Sequence, residues 1–173
     1  MHDPTRTANL LGAAALAVND SMLAAVARSG LPAPSGAAAL VVLLTAPGVG
    51  VTELGRRIGL SQSATTRLID TLETDGLVAR RASAGRQVRV HLTRRGRSRA
   101  QQTLAARCEP LLDVLSELDE AGQRDLDRLL RVLLTGLYQR SAGADHVCRL
   151  CDRACCTAGA VCPVGVAERA ERE

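Results

Sequence analysis

Apolar positions recur every three to four residues through most of this chain, and only from Val88 to Leu92 do they alternate one by one. Leu11, Ala14, Val18, Met22 and Ala25 or Val26 form the first stripe, which predicts an amphipathic helix ending near Gly30, with Pro32 and Pro34 making the break. Ser35 is the expected cap of a short helix from Gly36 to Ala46. That segment is apolar all round, which predicts burial, and Pro47-Gly48 stops it. Thr52 is the expected cap of a helix carrying Leu54 and Ile58, which Gly59 ends in the left-handed conformation. Ser61 caps the next helix, where Ala64, Leu68, Ile69 and Leu72 form an apolar stripe and Asp75-Gly76 closes it.

Arg80-Arg81, the small-residue tip Ala82 to Arg86, and Gln87 to Leu92 then read as a hairpin with Val88, Val90 and Leu92 turned inward. Beyond it Thr93 caps a helix with a seam of Leu104, Cys108, Leu111, Leu115 and Leu118, where Pro110 predicts a kink near Arg107. Ala121-Gly122 introduces a last long helix with a broad stripe of Leu126, Leu129, Leu130, Leu133, Leu134 and Leu137. Helix, tight turn, helix and hairpin from Val51 to Leu92 predict a mainly α fold: a winged helix-turn-helix with a two-stranded wing and N- and C-terminal dimerisation helices. Residues 1–30 and 93–141 are the dimerisation segments, 31–92 the DNA-binding domain, and 142–173 a cysteine-rich tail. One domain cannot easily bury all these stripes, which predicts a homodimer, Tyr138 included at its interface. A closed monomeric bundle is the alternative.

Charge adds the partner. All 22 basic residues are arginine, and between Val51 and Arg107 twelve of them stand against four carboxylates. Arg80, Arg81, Arg86, Arg89, Arg94, Arg95, Arg97 and Arg99 follow one another with no acidic residue in the interval. A positive middle with near-neutral flanks suits a reader of double-stranded DNA, because phosphate neutralisation dominates affinity. On the second helix, Gln62, Ser63, Thr65, Thr66 and Arg67 lie opposite the apolar stripe, and such hydroxyls, amides and guanidinium groups suit base edges and phosphates. Arg80, Arg81 and Arg89 add cations from the wing. His91, outward on the second wing strand, is expected to be solvated or to touch phosphate.

The stretch GLSQSATTRLIDTLETDGLVARR followed by GRQVRVHLTRRG resembles the multiple-antibiotic-resistance (MarR) family of bacterial transcription regulators, over roughly Leu10 to Arg140. The resemblance implies dimers on pseudo-palindromic DNA, with the second helix in the major groove and the wing in the minor groove. It implies groove and phosphate contacts from Ser61, Gln62, Ser63, Thr66 and Arg67, and a wing-tip role for Arg86. Members usually carry an acidic residue two positions before that arginine, where this chain has Ala84.

Composition narrows what else is possible. With one tyrosine and no Trp or Phe, the core must be Leu, Val and Ala, which argues against an aromatic-walled drug pocket. Leu10 to Val18 contains an A-x-A pattern that can pass for a secretory signal, but the helical phase continues past it. No other stretch approaches a membrane span, so the expected location is cytoplasmic with no membrane partner. No glycine-rich phosphate loop, Ser-His-Asp set or paired carboxylates with a companion base is present, and the chain is not expected to be an enzyme.

The tail holds five of the six cysteines, Cys148, Cys151, Cys155, Cys156 and Cys162. Four thiolates at these spacings suit tetrahedral zinc, with one of Cys155 or Cys156 as ligand and His146 as a possible substitute. An iron–sulfur cluster needs much the same set, and Pro163 after the last cysteine fits it too. A metal-free thiol switch is the third reading, since Arg149 and Arg153 would lower nearby thiol pKa values. Structural thiols or disulfides in a disordered tail are the fourth. Cys108 reads as a packed thiol on the seam. The favoured function is a repressor that answers to this tail or to a small-molecule effector at the dimer cleft. A metal- or redox-active enzyme using the winged domain as scaffold is the alternative.

Overall fold

The structure, a computed structural model, describes residues 3–28, 30, 34–82, 88–141 and 143–171. Its described elements run α1 (Pro4–Arg28), α2 (Pro34–Thr45), β1 (Val49–Gly50), α3 (Val51–Ile58), α4 (Gln62–Thr74), β2 (Val78–Ala82), β3 (Val88–Leu92), α5 (Arg94–Leu115), α6 (Glu120–Tyr138), α7 (Ala144–Val147), α8 (Arg153–Thr157) and α9 (Pro163–Ala170). The fold is mainly α, a winged helix-turn-helix. α2, the all-apolar helix, lies at its centre: Gly36 to Leu43 are buried, with Leu40 and Leu43 meeting Leu54 and Ile58 of α3, Ile69 and Leu72 of α4, and Val90 of β3 in one core. Each such side chain, fully buried, contributes about 1.5–3 kcal/mol. α5 runs from the wing along α2 and α1, and α9 packs on α6.

Most helix boundaries follow the expected residues. Gly59 is left-handed at φ 74°, the Ser61 hydroxyl accepts from the Ala64 amide at 3.3 Å, and the Thr93 hydroxyl accepts from the Gly96 amide at 3.0 Å. Two caps are corrected. Pro34 opens α2 in place of Ser35, because its fixed φ suits a first helical position. Gly50 precedes α3 without a side-chain cap, which puts Thr52 inside the helix. α5 continues through Pro110 as one helix.

The two-stranded wing, β2 and β3, is extended by a third strand from before α3. Val49 and Gly50 pair with Val90 and Arg89, giving an antiparallel sheet in the order β1-β3-β2. A two-residue strand is too short to show a period in sequence. Val90 is fully buried and Leu92 packs on the core, but Val88 is 46% exposed, at the end of β3 away from the helices. The cysteine-rich tail forms three short helices, α7, α8 and α9.

α5 leaves the sheet through a tight corner. Thr93 donates through its amide to the Leu77 carbonyl at 3.0 Å and through its hydroxyl to the Gly76 carbonyl at 2.7 Å. A Cβ on Gly96 would run into the Leu77 carbonyl, and backbone cannot move aside as a side-chain end can. Gly12 in α1 has nothing within 4 Å of that position. Gly96→Ala should therefore destabilise the fold by about 1–3 kcal/mol, whereas Gly12→Ala should be neutral or stabilising by up to about 1 kcal/mol. Denaturant unfolding of the two variants checks this.

Candidate nucleic-acid interface

Close contact between α3 and α4 aims the reading helix. Gly55 faces Thr65 so closely that a Cβ there would stand 2.5 Å from the Thr65 hydroxyl and 3.0 Å from the Leu60 carbonyl. Thr65 is completely buried and donates its hydroxyl to the Ser61 carbonyl at 2.8 Å. This corrects its place among the groove contacts: it packs the turn and cannot reach DNA. Ser61, Gln62, Ser63, Thr66, Arg67, Asp70 and Thr71 are exposed on the opposite face. Thr66 and Thr71 turn their hydroxyls back to the Gln62 and Arg67 carbonyls at 3.0 and 3.1 Å, which leaves a relatively firm surface with Gln62 and Arg67 as its long polar reach.

The wing arginines divide by role. Arg80 is an internal strut: its guanidinium donates to Glu73 and Asp70, each at 2.6 Å, and its amide donates to Glu73 at 2.9 Å. These bonds tie β2 to α4. Arg80's amide, followed by its guanidinium, holds the Glu73 carboxyl below the usual carboxylate range. Arg80 is thereby moved from the expected DNA cations to the scaffold. Arg89 is half-buried and donates to the Gly48 carbonyl at 3.1 Å, bracing β1 on β3. Arg81 is exposed on the strand, and Arg86 lies outside the described residues. The ring of half-buried His91 lies against Gly48, about 3 Å from where a Cβ would stand.

Two of these contacts had a sequence signal that went unread. Glu73 and Asp70 lie three apart on α4, and Arg80 is the first arginine after the turn. The tail adds a contact that had none. Asp145 of α7 accepts from Arg56 of α3 at 3.0 Å, while Glu53 accepts from Arg56 at 2.7 Å and from Arg57 at 2.8 Å. Hydrogen bonds from Arg56 and then Arg57 pull the Glu53 carboxyl down to about 2 from 4.5. A lowered carboxyl stabilises above its unfolded value, so this clamp is at full strength above about 4.5 and weakens as pH falls towards about 2.

The cysteines separate as well. Cys148 shares a hydrogen bond with Cys151, Cys151 with Cys156, and Cys156 with Cys162. The Cys162 sulfur also accepts from the Gly165 amide at 3.4 Å, capping α9. Cys155 is exposed. Among the described residues no group of three or more His, Cys, Asp or Glu side chains could hold a metal ion as the side chains stand. The bond from Cys151 lowers the Cys148 thiol pKa, the same bond and burial raise that of Cys151, and burial pushes Cys156 up to about 11. His146, the possible substitute ligand, has its ring against Gly59 at the end of α3. Tyr138, expected at the dimer interface, is buried within the chain and donates to Glu171 at 2.7 Å.

Residues 29–87 match the MarR family model. The HTH-type transcriptional repressor Rv2887 of Mycobacterium tuberculosis is 34% identical over 96 residues, covering 54% of this chain and 69% of the relative. The structure of Rv2887 in complex with DNA has a TM-score of 0.60 at 28% identity, covering 73% of this chain and 95% of that one. Its complex with p-aminosalicylic acid gives 0.59 at 30% identity, over 73% and 96%. A MarR family protein from Bacillus stearothermophilus superposes with a TM-score of 0.68 at 26% identity, over 79% of this chain and 99% of that one. About a fifth of this chain lies outside that last match.

The division of the wing arginines has a direct consequence for stability. Arg80→Ala strips two side-chain hydrogen bonds from two carboxylates, keeps the backbone amide bond to Glu73, and should cost about 1–2 kcal/mol, while Arg81→Ala should stay within about 0.5 kcal/mol of the parent. Thermal unfolding of the two single variants, at one pH near neutrality, measures the difference.

Proposed function

The chain belongs to the MarR family, and we propose that it is a dimeric, DNA-binding transcriptional repressor that reads a pseudo-palindromic operator with α4 and the wing. The observation that carries this reading is the outer face of α4, polar from Ser61 to Thr71 and held rigidly by the Gly55–Thr65 contact behind it. Gln62 and Arg67 are the base-edge candidates, Ser61, Ser63 and Thr66 flank them, and Arg81 with the wing-tip Arg86 supplies phosphate charge. The relatives are transcriptional repressors, which sets aside the reading of the chain as a metal- or redox-active enzyme.

Dimerisation rests on what a single copy leaves uncovered. Leu10, Leu11 and Leu16 of α1, Leu112 and Val114 of α5, and Leu129, Leu130, Val132, Leu133 and Leu137 of α6 are 44–69% exposed apart from Leu133 at 39%. So many large apolar side chains on the terminal helices suit a second copy of the chain. α1 is also, among the described residues, the one helix long and apolar enough to cross a membrane. Its packing along α5 in the fold and its place in a DNA reader support the dimer role and a cytoplasmic location.

Rv2887 has been solved with p-aminosalicylic acid, which supports a small-molecule effector here too. A cavity of about 400 Å³ bounded by Asn19, Met22 and Leu23 of α1, Ile58 of α3, Leu134 of α6 and, from the tail, Cys148, Cys151, Cys156 and Cys162 is the site we infer for one. Its apolar walls are aliphatic.

DNA binding tests the reading. Gln62→Ala and Arg67→Ala should each lose about 1–3 kcal/mol of discrimination between operator and random duplex. Arg81→Ala should weaken both duplexes alike and lower the salt slope by about 1. Equal specificity in all three variants contradicts the assignment. Leu11→Asp with Leu133→Asp should give a folded monomer with little operator affinity, read by sedimentation and titration.

A further inference from the structure

Four of the five tail cysteines converge from separate pieces of chain: Cys148 follows α7, Cys151 precedes α8, Cys156 lies in α8, and Cys162 caps α9. All four line one small cavity of about 50 Å³, and Cys155, one residue from Cys156, does not. The adjacent pair is thereby resolved. A helix separates neighbours by about 100°, so only one of them can face inward.

Packing alone does not account for the order of this region. Its helices have four, five and eight residues, too few to persist alone, and Val164 is the one buried apolar side chain among the described residues from 143 to 171. Some other interaction must offset the ordering entropy. Charge points to which. Arg107 of α5 has its side-chain Nε buried with no hydrogen-bond partner among the described residues, and it lines a cavity together with Cys151. Arg153 lines the small cavity with the four cysteines. A buried N–H without an acceptor is costly, and a thiolate on Cys151 would offer one.

We propose that Cys148, Cys151, Cys156 and Cys162 bind one zinc ion as four thiolates, with Arg107 and Arg153 offsetting the anionic charge, and that this centre holds α7 against α3. Zinc–sulfur bonds of about 2.3 Å in a tetrahedron set neighbouring sulfurs about 3.8 Å apart, so the four thiols that line the cavity turn towards one point as the ion enters. Four thiol protons leave as the ion enters, so affinity rises with pH. From the centre the connection to the reading head is short. Cys148 ends α7, whose Asp145 accepts from Arg56 of α3 at 3.0 Å, and Leu150 packs on the core. α3 carries Gly55, on which α4 rests. Metal occupancy thus bears on the back of the helix pair whose front faces DNA.

The test uses the full chain purified under argon, stripped with a chelator, and titrated with zinc chloride against a chromophoric competitor. One zinc per chain is expected for the parent and for Cys155→Ser. Cys148→Ser, Cys151→Ser, Cys156→Ser and Cys162→Ser should each reduce retained zinc at least tenfold. Arg107→Ala should keep the stoichiometry but bind more weakly. Because a Ser variant can lose metal by misfolding, hydrogen exchange on the stripped and reloaded parent is the second readout, and zinc should slow exchange across residues 144–170. A parent that takes up no zinc overturns the proposal. So does equal loss in Cys155→Ser and Cys156→Ser, unchanged exchange on reloading, or iron with acid-labile sulfide in its place. None of these results depends on DNA binding, so the metal site and the repressor reading stand or fall separately.

Discussion

The contact between Gly55 and Thr65 fixes everything in front of it. Helices α3 and α4 touch where one has no side chain and the other has a buried hydroxyl turned onto its own turn, at 2.8 Å from the Ser61 carbonyl. With Leu54, Ile58, Ile69 and Leu72 closing behind it over α2, α4 has one orientation available. Its apolar stripe is inside, so Gln62 and Arg67 are outside. The aromatic-free composition works in the same direction, because a core of Leu, Val and Ala fills space only when backbones come close.

A second restraint sets the wing relative to that helix. Glu73 near the end of α4 accepts both the amide and the guanidinium of Arg80, and Asp70 takes the other arm. Part of the arginine-rich stretch is therefore structure and not ligand surface. Arg89 donates to the Gly48 carbonyl, and the His91 ring lies against the same residue just before β1. Arg81, Arg94, Arg95 and Arg97 remain exposed in this stretch. Field strength comes from the run as a whole, but position comes from the few arginines left facing out.

Much of this was legible in the sequence, and the exceptions share a cause. Gly59, Ser61 and Thr93 announce helix ends because their chemistry acts within three or four residues. The stripes of α4 and α6 are equally local. Thr65 was misplaced on the outer face because small hydroxyl residues suit either a groove or a close helix contact, and Gly55, ten residues away, decides between them. Arg80 and Tyr138 were assigned by residue type, whereas their partners, Glu73 and Glu171, are set by tertiary approach. β1 gave no period to read. In the tail, spacing exposed the cysteines but could not choose between Cys155 and Cys156, which the facing of one short helix separates.

α3 is a plate with two loaded faces, α4 on one side and the cysteine tail on the other, which the proposed dimer through the terminal helices would duplicate. Two-fold symmetry is the central geometric claim of that proposal, and hydroxyl-radical footprinting on DNA selected from random sequence by the full chain tests it most directly. Protection should fall in two inverted half-sites centred about 10 base pairs apart, one helical turn, each with a major-groove contact. A single unpaired half-site, or uniform protection with no selected sequence, would contradict it.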